Sequence, residues 1–229
     1  MKNFWIVFVF ANCCVNGQNV HDKLWNVKIN GTQLVDGANF PTVQFSIERK
    51  ILPAISLLVE GGPQLYDVNG KPDTLYYKSK GFKANVELRG YLLQLFKAAW
   101  FTKPGGLFLG IQPFYRQNRF TTTIFYVKSD PQDTVNGRYS DVFGVKRKVF
   151  GMNLTAGYQH HFSRRFIMEP SIAVGRLRRN VSNIERNFDL RVDESTFSHD
   201  IFGQESHNLS ESTDWFYNFT INFRIGYTF

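Results

Sequence analysis

The stretch Trp215 to Phe229 alternates without a break. Trp215, Tyr217, Phe219, Ile221, Phe223, Ile225, Tyr227 and Phe229 fall on one side, all large and apolar. The other side carries Phe216, Asn218, Thr220, Asn222, Arg224, Gly226 and Thr228. A β-strand sends successive side chains to opposite faces, so this is one strand with an oily face and a mostly polar one. A soluble sandwich would bury the oily face. An outer-membrane barrel turns that face to lipid and keeps its lumen polar, with aromatics gathered at the two interfaces. The length of the run and the spread of its aromatics favour the barrel.

The same period-two test yields seven more strands. Strand one, Leu24 to Thr32, sets Trp25, Val27 and Ile29 against Asn26, Lys28 and Asn30. Strand two, Thr42 to Arg49, sets Val43, Phe45 and Ile47 against Gln44, Ser46 and Glu48, and strand three, Ala54 to Gly62, sets Ile55, Leu57 and Val59 against Ser56, Leu58 and Glu60. In strand four, Phe82, Ala84, Val86, Leu88 and Leu92 oppose Lys83, Asn85, Glu87, Arg89 and Tyr91. Strand five, Leu107 to Asn118, has Gln112, Phe114 and Arg116 on its polar side, and Pro113 predicts a bulge because proline cannot donate to the ladder. Strands six (Phe150 to Phe162) and seven (Arg165 to Gly175) complete the set. The expected fold is all-β: an eight-stranded antiparallel up-and-down transmembrane β-barrel with long extracellular loops.

The gaps between strands agree with such a barrel, in which long loops and short turns alternate. Pro63 to Lys80, Arg119 to Lys148 and Arg176 to Asp214 are long, whereas Lys50 to Pro53 and Ser163 to Arg164 are short. Gln33 to Pro41 is intermediate, and Leu93 to Gly106 is longer than a usual periplasmic turn.

Residues 1–17 read as an export signal: Lys2 gives the positive start, Phe4 to Ala11 the apolar core, and Val15 and Gly17 a cleavage site. Residues 18–229 then form a single barrel domain with both termini periplasmic. Both cysteines, Cys13 and Cys14, lie within the signal, so the exported chain would carry no disulfide and no thiolate metal site. Mean hydropathy is −0.27. No later segment holds the roughly 18 consecutive apolar residues of a spanning helix, which excludes helical spans but leaves alternating strands untouched.

Two segments carry a resemblance to a known group: Gly81 to Leu92 (Gly-Phe-Lys-Ala-Asn-Val-Glu-Leu-Arg-Gly-Tyr-Leu) and Asn222 to Phe229 (Asn-Phe-Arg-Ile-Gly-Tyr-Thr-Phe). With the signal and the small barrel, they resemble the small outer-membrane β-barrel proteins typical of Bacteroidota, many classed as domains of unknown function. The resemblance implies a fold and a bacterial outer-membrane location, and carries over no catalytic residue. Phe223, Ile225, Tyr227 and Phe229 likewise resemble the closing strand that the barrel-assembly machinery recognises.

Two sets of residues are candidates for function. The inward faces hold Lys28, Glu48, Glu60, Lys83, Glu87, Arg89, Arg116, Glu169 and Arg224. An eight-stranded barrel leaves just enough room for side chains, so these charges must pair or meet trapped water. Glu87, Arg89, Glu169 and Arg224 are expected in one connected network, with Glu48, Glu60 and Arg116 contributing. It serves either as a plug or as a narrow polar path for small solutes. Second, Arg119, Arg147, Lys148, Arg176, Arg178 and Arg179 lie where strands leave the outer side of the membrane. Arginine forks suit phosphate, which makes these residues a candidate collar for lipopolysaccharide phosphates, against the alternative of a solvated basic rim.

The acidic stretch Glu185 to Asp214 holds Asp189, Asp193, Glu194, Asp200, Glu205 and Glu211 with His199 and His207, at spacings that match no defined metal loop. No metal or cofactor is expected, and no nucleic-acid partner. The expected partners are outer-membrane lipid and lipopolysaccharide, the assembly machinery during insertion, and other outer-membrane proteins. Three function classes follow: a non-enzymatic structural or interaction barrel, a subunit of a larger assembly; a narrow channel; and a lipid-modifying enzyme. The histidines serve the last poorly, since His160 and His161 are expected in a short turn and His199 and His207 in the last loop.

Overall fold

The structure, a computed structural model, describes residues 25–35, 40–64, 77–95, 106–127, 138–163, 165–187, 189, 194–195 and 211–229. The expected signal at residues 1–17 and, in the 185–214 stretch, His199, His207, Asp193, Asp200 and Glu205 lie outside the described residues. Strands β1 (Trp25–Asn30), β2 (Gln44–Leu52), β3 (Ile55–Pro63), β4 (Tyr77–Tyr91), β5 (Gly106–Val127), β6 (Arg138–His161), β7 (Phe166–Ile184) and β9 (Thr213–Thr228) pair in that order, all antiparallel. Pairing of β4 with β5 and of β1 with β9 makes the ring complete. A two-residue strand, β8 (Glu194–Ser195), bridges the far end of β5. This is an eight-stranded antiparallel up-and-down barrel.

Its faces are reversed relative to a soluble fold. Leu154 is 63% exposed and Phe219 64%, whereas Glu169 is 0% and Arg224 1% exposed. Leu107 to Tyr115 on β5, Phe150 to Tyr158 on β6 and Phe166 to Val174 on β7 each present an outward apolar stripe of the same length. At about 3.4 Å per residue such a stripe runs about 27 Å along the strand, or about 21 Å across a bilayer at a tilt of about 40°. The apolar band of membrane-spanning barrels, about 25 Å tall, is matched once flanking aromatics are included. At one margin the rings of Phe162, Phe166, Tyr227 and Phe229 follow one another at 5.1–5.9 Å. At the other, Phe82 packs on Tyr115 at 5.6 Å. No described helix is long and apolar enough to cross a membrane, and a closed ring is the one strand arrangement that leaves no unpaired backbone edge in hydrocarbon.

Two expectations fail. No bulge forms at Pro113: the register to β6 is continuous from Gly106↔Gln159 to Val127↔Arg138. The ladder to β4 resumes in the same register on either side of the gap, at Asn85↔Phe114 and Leu88↔Ile111, so the missing N–H is absorbed by skipped pairings. In addition, strands five, six and seven run well past their expected ends, so that most of Arg119 to Lys148 and the start of Arg176 to Asp214 are strand rather than loop. Beyond the apolar belt the alternation inverts in part, although Phe125 and Val142 remain exposed on the outward side. Phe120, Phe143, Val145 and Val181 face inward into a buried cluster with Tyr126, while Arg119, Lys146 and Lys148 face outward. Lipid lies against one half of these strands and water against the other.

Leu154→Arg, at the centre of the β6 stripe, should destabilise the barrel in bilayers by about 2–4 kcal/mol, and Gln117→Arg at the stripe's margin by about 0–1 kcal/mol. Urea titrations in lipid vesicles measure both.

Candidate functional site: an ion-paired lumen

The polar sides of β1–β4, β7 and β9 converge on the barrel axis, and their charges meet there. Glu169 of β7 receives Arg89 of β4 through two parallel bonds of 2.9 Å, Arg224 of β9 at 3.0 Å, and the Lys28 ammonium of β1. Lys28 also bonds Glu48 of β2 at 2.6 Å, Arg224 bonds Glu60 of β3 at 2.5 Å, and Arg89 bonds Glu87 at 3.0 Å. All of these side chains are buried. Four carboxylates thus meet three cations, and neutral donors take up the remaining acceptor sites. Tyr91 donates to Glu48 at 2.7 Å, Gln159 donates to it at 3.2 Å, and Thr155 donates to Glu87 at 2.8 Å.

The structure therefore brings Glu48, Glu60, Glu87, Arg89, Glu169 and Arg224 into one cluster with Lys28. Arg116 sits nearer the long-loop end, its guanidinium 4.5 Å over the Phe114 ring. Gln33 is a residue that alternation could not find, because it lies outside any strand. The 3-10 turn Thr32–Val35 folds it inward to accept from Lys83 at 3.0 Å and donate to Asn222 at 3.2 Å. Tyr91 and Gln159 lie on polar stripes and were legible only as facing inward.

Aromatic side chains fill the rest of the lumen. Phe108 and Phe114 stand directly across from Gly157 and Gly151 on β6. A Cβ at either glycine would come within 2.5 Å of the opposing ring, so only glycine lets the rings lie flat across the wall. Phe108 in turn carries the Arg89 guanidinium at 4.4 Å and meets Tyr91 edge-on at 5.9 Å. Farther along, Phe114, Val149 and Leu177 form a buried apolar layer with Phe216, followed by the Phe120 cluster. Between the charges and this layer lies a polar cavity of about 20 Å³ for the centre of a water-sized sphere, lined by Gln33, Gln44, Lys83, Gln112 and Asn222 among others. That is room for an ordered water or two.

The six collar candidates divide by facing. Arg119, Lys148, Arg176 and Arg178 are exposed on the outer wall. Arg147 and Arg179 fall on the inward stripes: Arg147 bonds Asn118 at 3.0 Å and Arg179 lies 4.2 Å over the Phe216 ring. They are corrected out of any outward collar, since strand pairing continues through their positions and alternation then dictates their direction. His160 and His161 are the last two residues of β6, within the span expected for strand six and next to the short turn. Phe223, Ile225, Tyr227 and Phe229 lie on the outward side of the last strand and its end, and the Phe229 amide closes the seam to Trp25 at 2.9 Å. Among the described residues no group of acids, histidines and cysteines is placed to hold a metal.

The fold and lumen define a closed barrel with an apolar exterior and a filled, charged interior. No protein-family model and no curated protein matches the sequence. Solved structures similar to the chain include the N-terminal β-barrel domain of Pseudomonas aeruginosa OprF, at 9% identity, covering 91% of this chain and 98% of that one, with a TM-score of 0.36. Acinetobacter baumannii CarO2 is 11% identical, covering 90% of this chain and 96% of that one at a TM-score of 0.41. A major outer membrane protein from Thermus thermophilus is 13% identical, with 90% and 98% covered and a TM-score of 0.39.

Removing one member of the network takes a buried partner from several others. Glu169→Ala costs Lys28, Arg89 and Arg224 one carboxylate each, leaving them Glu48, Glu87 and Glu60, and should destabilise the barrel by about 3–5 kcal/mol. In a double-mutant cycle, Glu60→Gln with Arg224→Met should be less damaging than the sum of the single changes, by about 0.5–3 kcal/mol. Urea unfolding followed by gel mobility of unboiled samples reads both.

Proposed function

We propose that the chain is a bacterial outer-membrane barrel whose lumen is a structural core and whose function is carried by its outer wall and loops, as a non-enzymatic structural or interaction protein and a subunit of a larger outer-membrane assembly. The observation that carries this reading is the filling of the lumen. Four buried carboxylates and three buried cations are consumed by one another, and apolar layers follow toward the long-loop end. A solute path would need binding groups that are accessible and weakly held; the ones present here are buried and mutually bonded. The placement in an outer membrane is supported by the closed ring, by the apolar belt of suitable height, and by the alternation of short and long connections.

In planar bilayers the reconstituted barrel should add no ohmic conductance to the baseline. Stable single-channel steps from the unaltered protein would instead assign the lumen to solute passage. Mild-detergent extraction from native membranes should yield a species larger than the isolated barrel, and recovery only as a monomer would remove the subunit role.

A further inference from the structure

The outward stripes of β5, β6 and β7 change abruptly in character. Each runs apolar, then aromatic or polar, then basic: Leu109, Ile111 and Tyr115 lead to Arg119, and Leu154, Met152 and Phe150 lead to Lys148 and Lys146. On β7, Ile172 and Val174 lead directly to Arg176 and Arg178. Across strands, Lys80 of β4 pairs with Arg119 and Arg119 with Lys146, which puts three cations in one outward row. Directly opposite side chains have Cβ atoms only about 4.5–5.5 Å apart, and like charges so placed repel. The outward positions of β5, β6 and β7 contain no Asp or Glu, whereas the acids of these strands, Asp141 and Glu169, are on the inward side and buried. Among the described residues of these three strands, a row of outward cations with no acid beside it asks for an external anion.

Two features identify that anion's setting. The basic patch is continuous with the apolar belt below it, so an occupant can place acyl chains on Leu154 and Val174 while its headgroup lies at Lys148 and Arg178. Arg176 is stacked between aromatic rings, 5.5 Å from that of Trp215 and 5.7 Å from that of Tyr217, which holds its planar fork at the aromatic margin where a headgroup sits. Among the described residues the opposite rim has no comparable row: Arg165 there bonds the Tyr227 hydroxyl at 2.8 Å. From these placements we infer that the outer wall of β4–β7, through Lys80, Arg119, Lys146, Lys148, Arg176 and Arg178, is a binding site for the phosphate groups of a membrane lipid in the leaflet facing the long loops. This deepens the outer-membrane reading and rests on it. The ligand class is a phosphorylated lipid rather than a soluble anion, because the basic and apolar surfaces adjoin.

The test uses the full chain in nanodiscs of neutral lipid doped with diphosphoryl lipid A or with its dephosphorylated form. Heat-modifiable mobility first reports whether the barrel has formed, which separates failure of the membrane reading from failure of this one. Native mass spectrometry should show diphosphoryl lipid A retained by the unaltered protein. Retention should fall on the order of tenfold or more when Arg119, Lys146, Lys148, Arg176 and Arg178 are all changed to Gln. The smaller change Lys146→Gln with Lys148→Gln should give a partial fall and carries the test if the larger variant does not insert. Lys50→Gln with Arg165→Gln, at the other rim, should leave retention unchanged. Raised salt should weaken binding, and millimolar inorganic phosphate should not displace the lipid. Equal retention by the outer-wall variants, equal retention of the dephosphorylated lipid, or displacement by inorganic phosphate would each overturn the assignment.

Discussion

Glu169 is the point on which the rest of the interior depends. Its two oxygens are shared among Lys28, Arg89 and Arg224, which arrive from three other strands across sequence separations of 141, 80 and 55 residues. A charge removed from water costs several kcal/mol unless a partner and neutral donors replace its hydration. Glu169 is therefore held charged by its three cations, which are anchored in turn by Glu48, Glu87 and Glu60, and each group fixes the register of the strand that carries it. A slip of one residue in β9 would put Arg224 into the apolar belt and Phe223 or Ile225 into the lumen. The network and the exterior thus impose the same register independently, one by electrostatics and one by hydrophobicity.

Packing around the network shows how an eight-stranded ring can hold both charges and aromatics. Paired Phe and Gly on β5 and β6 let rings lie across the wall instead of projecting to the axis. The ring of Phe108 forms a floor under Arg89, where its face attracts the cation while excluding water. Low dielectric around a cluster whose four carboxylates are all bonded strengthens each of its bonds. The same low dielectric is why the cluster is so sensitive to the loss of a single member.

The period of two made much of this legible from the chain alone. Eight strands, their order and the facing of Glu48, Glu60, Glu87, Arg89, Glu169 and Arg224 follow from which residues alternate, because lipid demands an unbroken apolar stripe. The same criterion stopped too early on β5, β6 and β7. Past Tyr115, Phe150 and Val174 the outward side turns basic and mixed while Phe120, Phe143, Val145 and Val181 face inward, and a test tuned to an outward apolar stripe reads the continuing strand as loop. Arg147 and Arg179 were misplaced for that reason. Gln33 escaped for a different one: it reaches the lumen by a turn, and period-two logic has nothing to say about turns. Pro113 showed that a missing donor can be absorbed by skipping pairings with one neighbour while the other ladder holds register.

The inversion also makes the barrel lopsided. β1, β2 and β3 have 6, 9 and 9 residues, whereas β5, β6 and β7 have 22, 24 and 19. One wall ends near the membrane margin while the other continues as a sheet with a water-type arrangement, its Phe120, Phe143, Val145 and Val181 turned inward. That sheet has its own small buried cluster, so it does not need lipid to hold its shape. The outward basic row lies at its base, where lipid gives way to water. The packed lumen gives the ring rigidity, and the tall wall gives it an oriented surface on one side. Because the interior charges are committed to one another, the function proposed above rests on what that side touches.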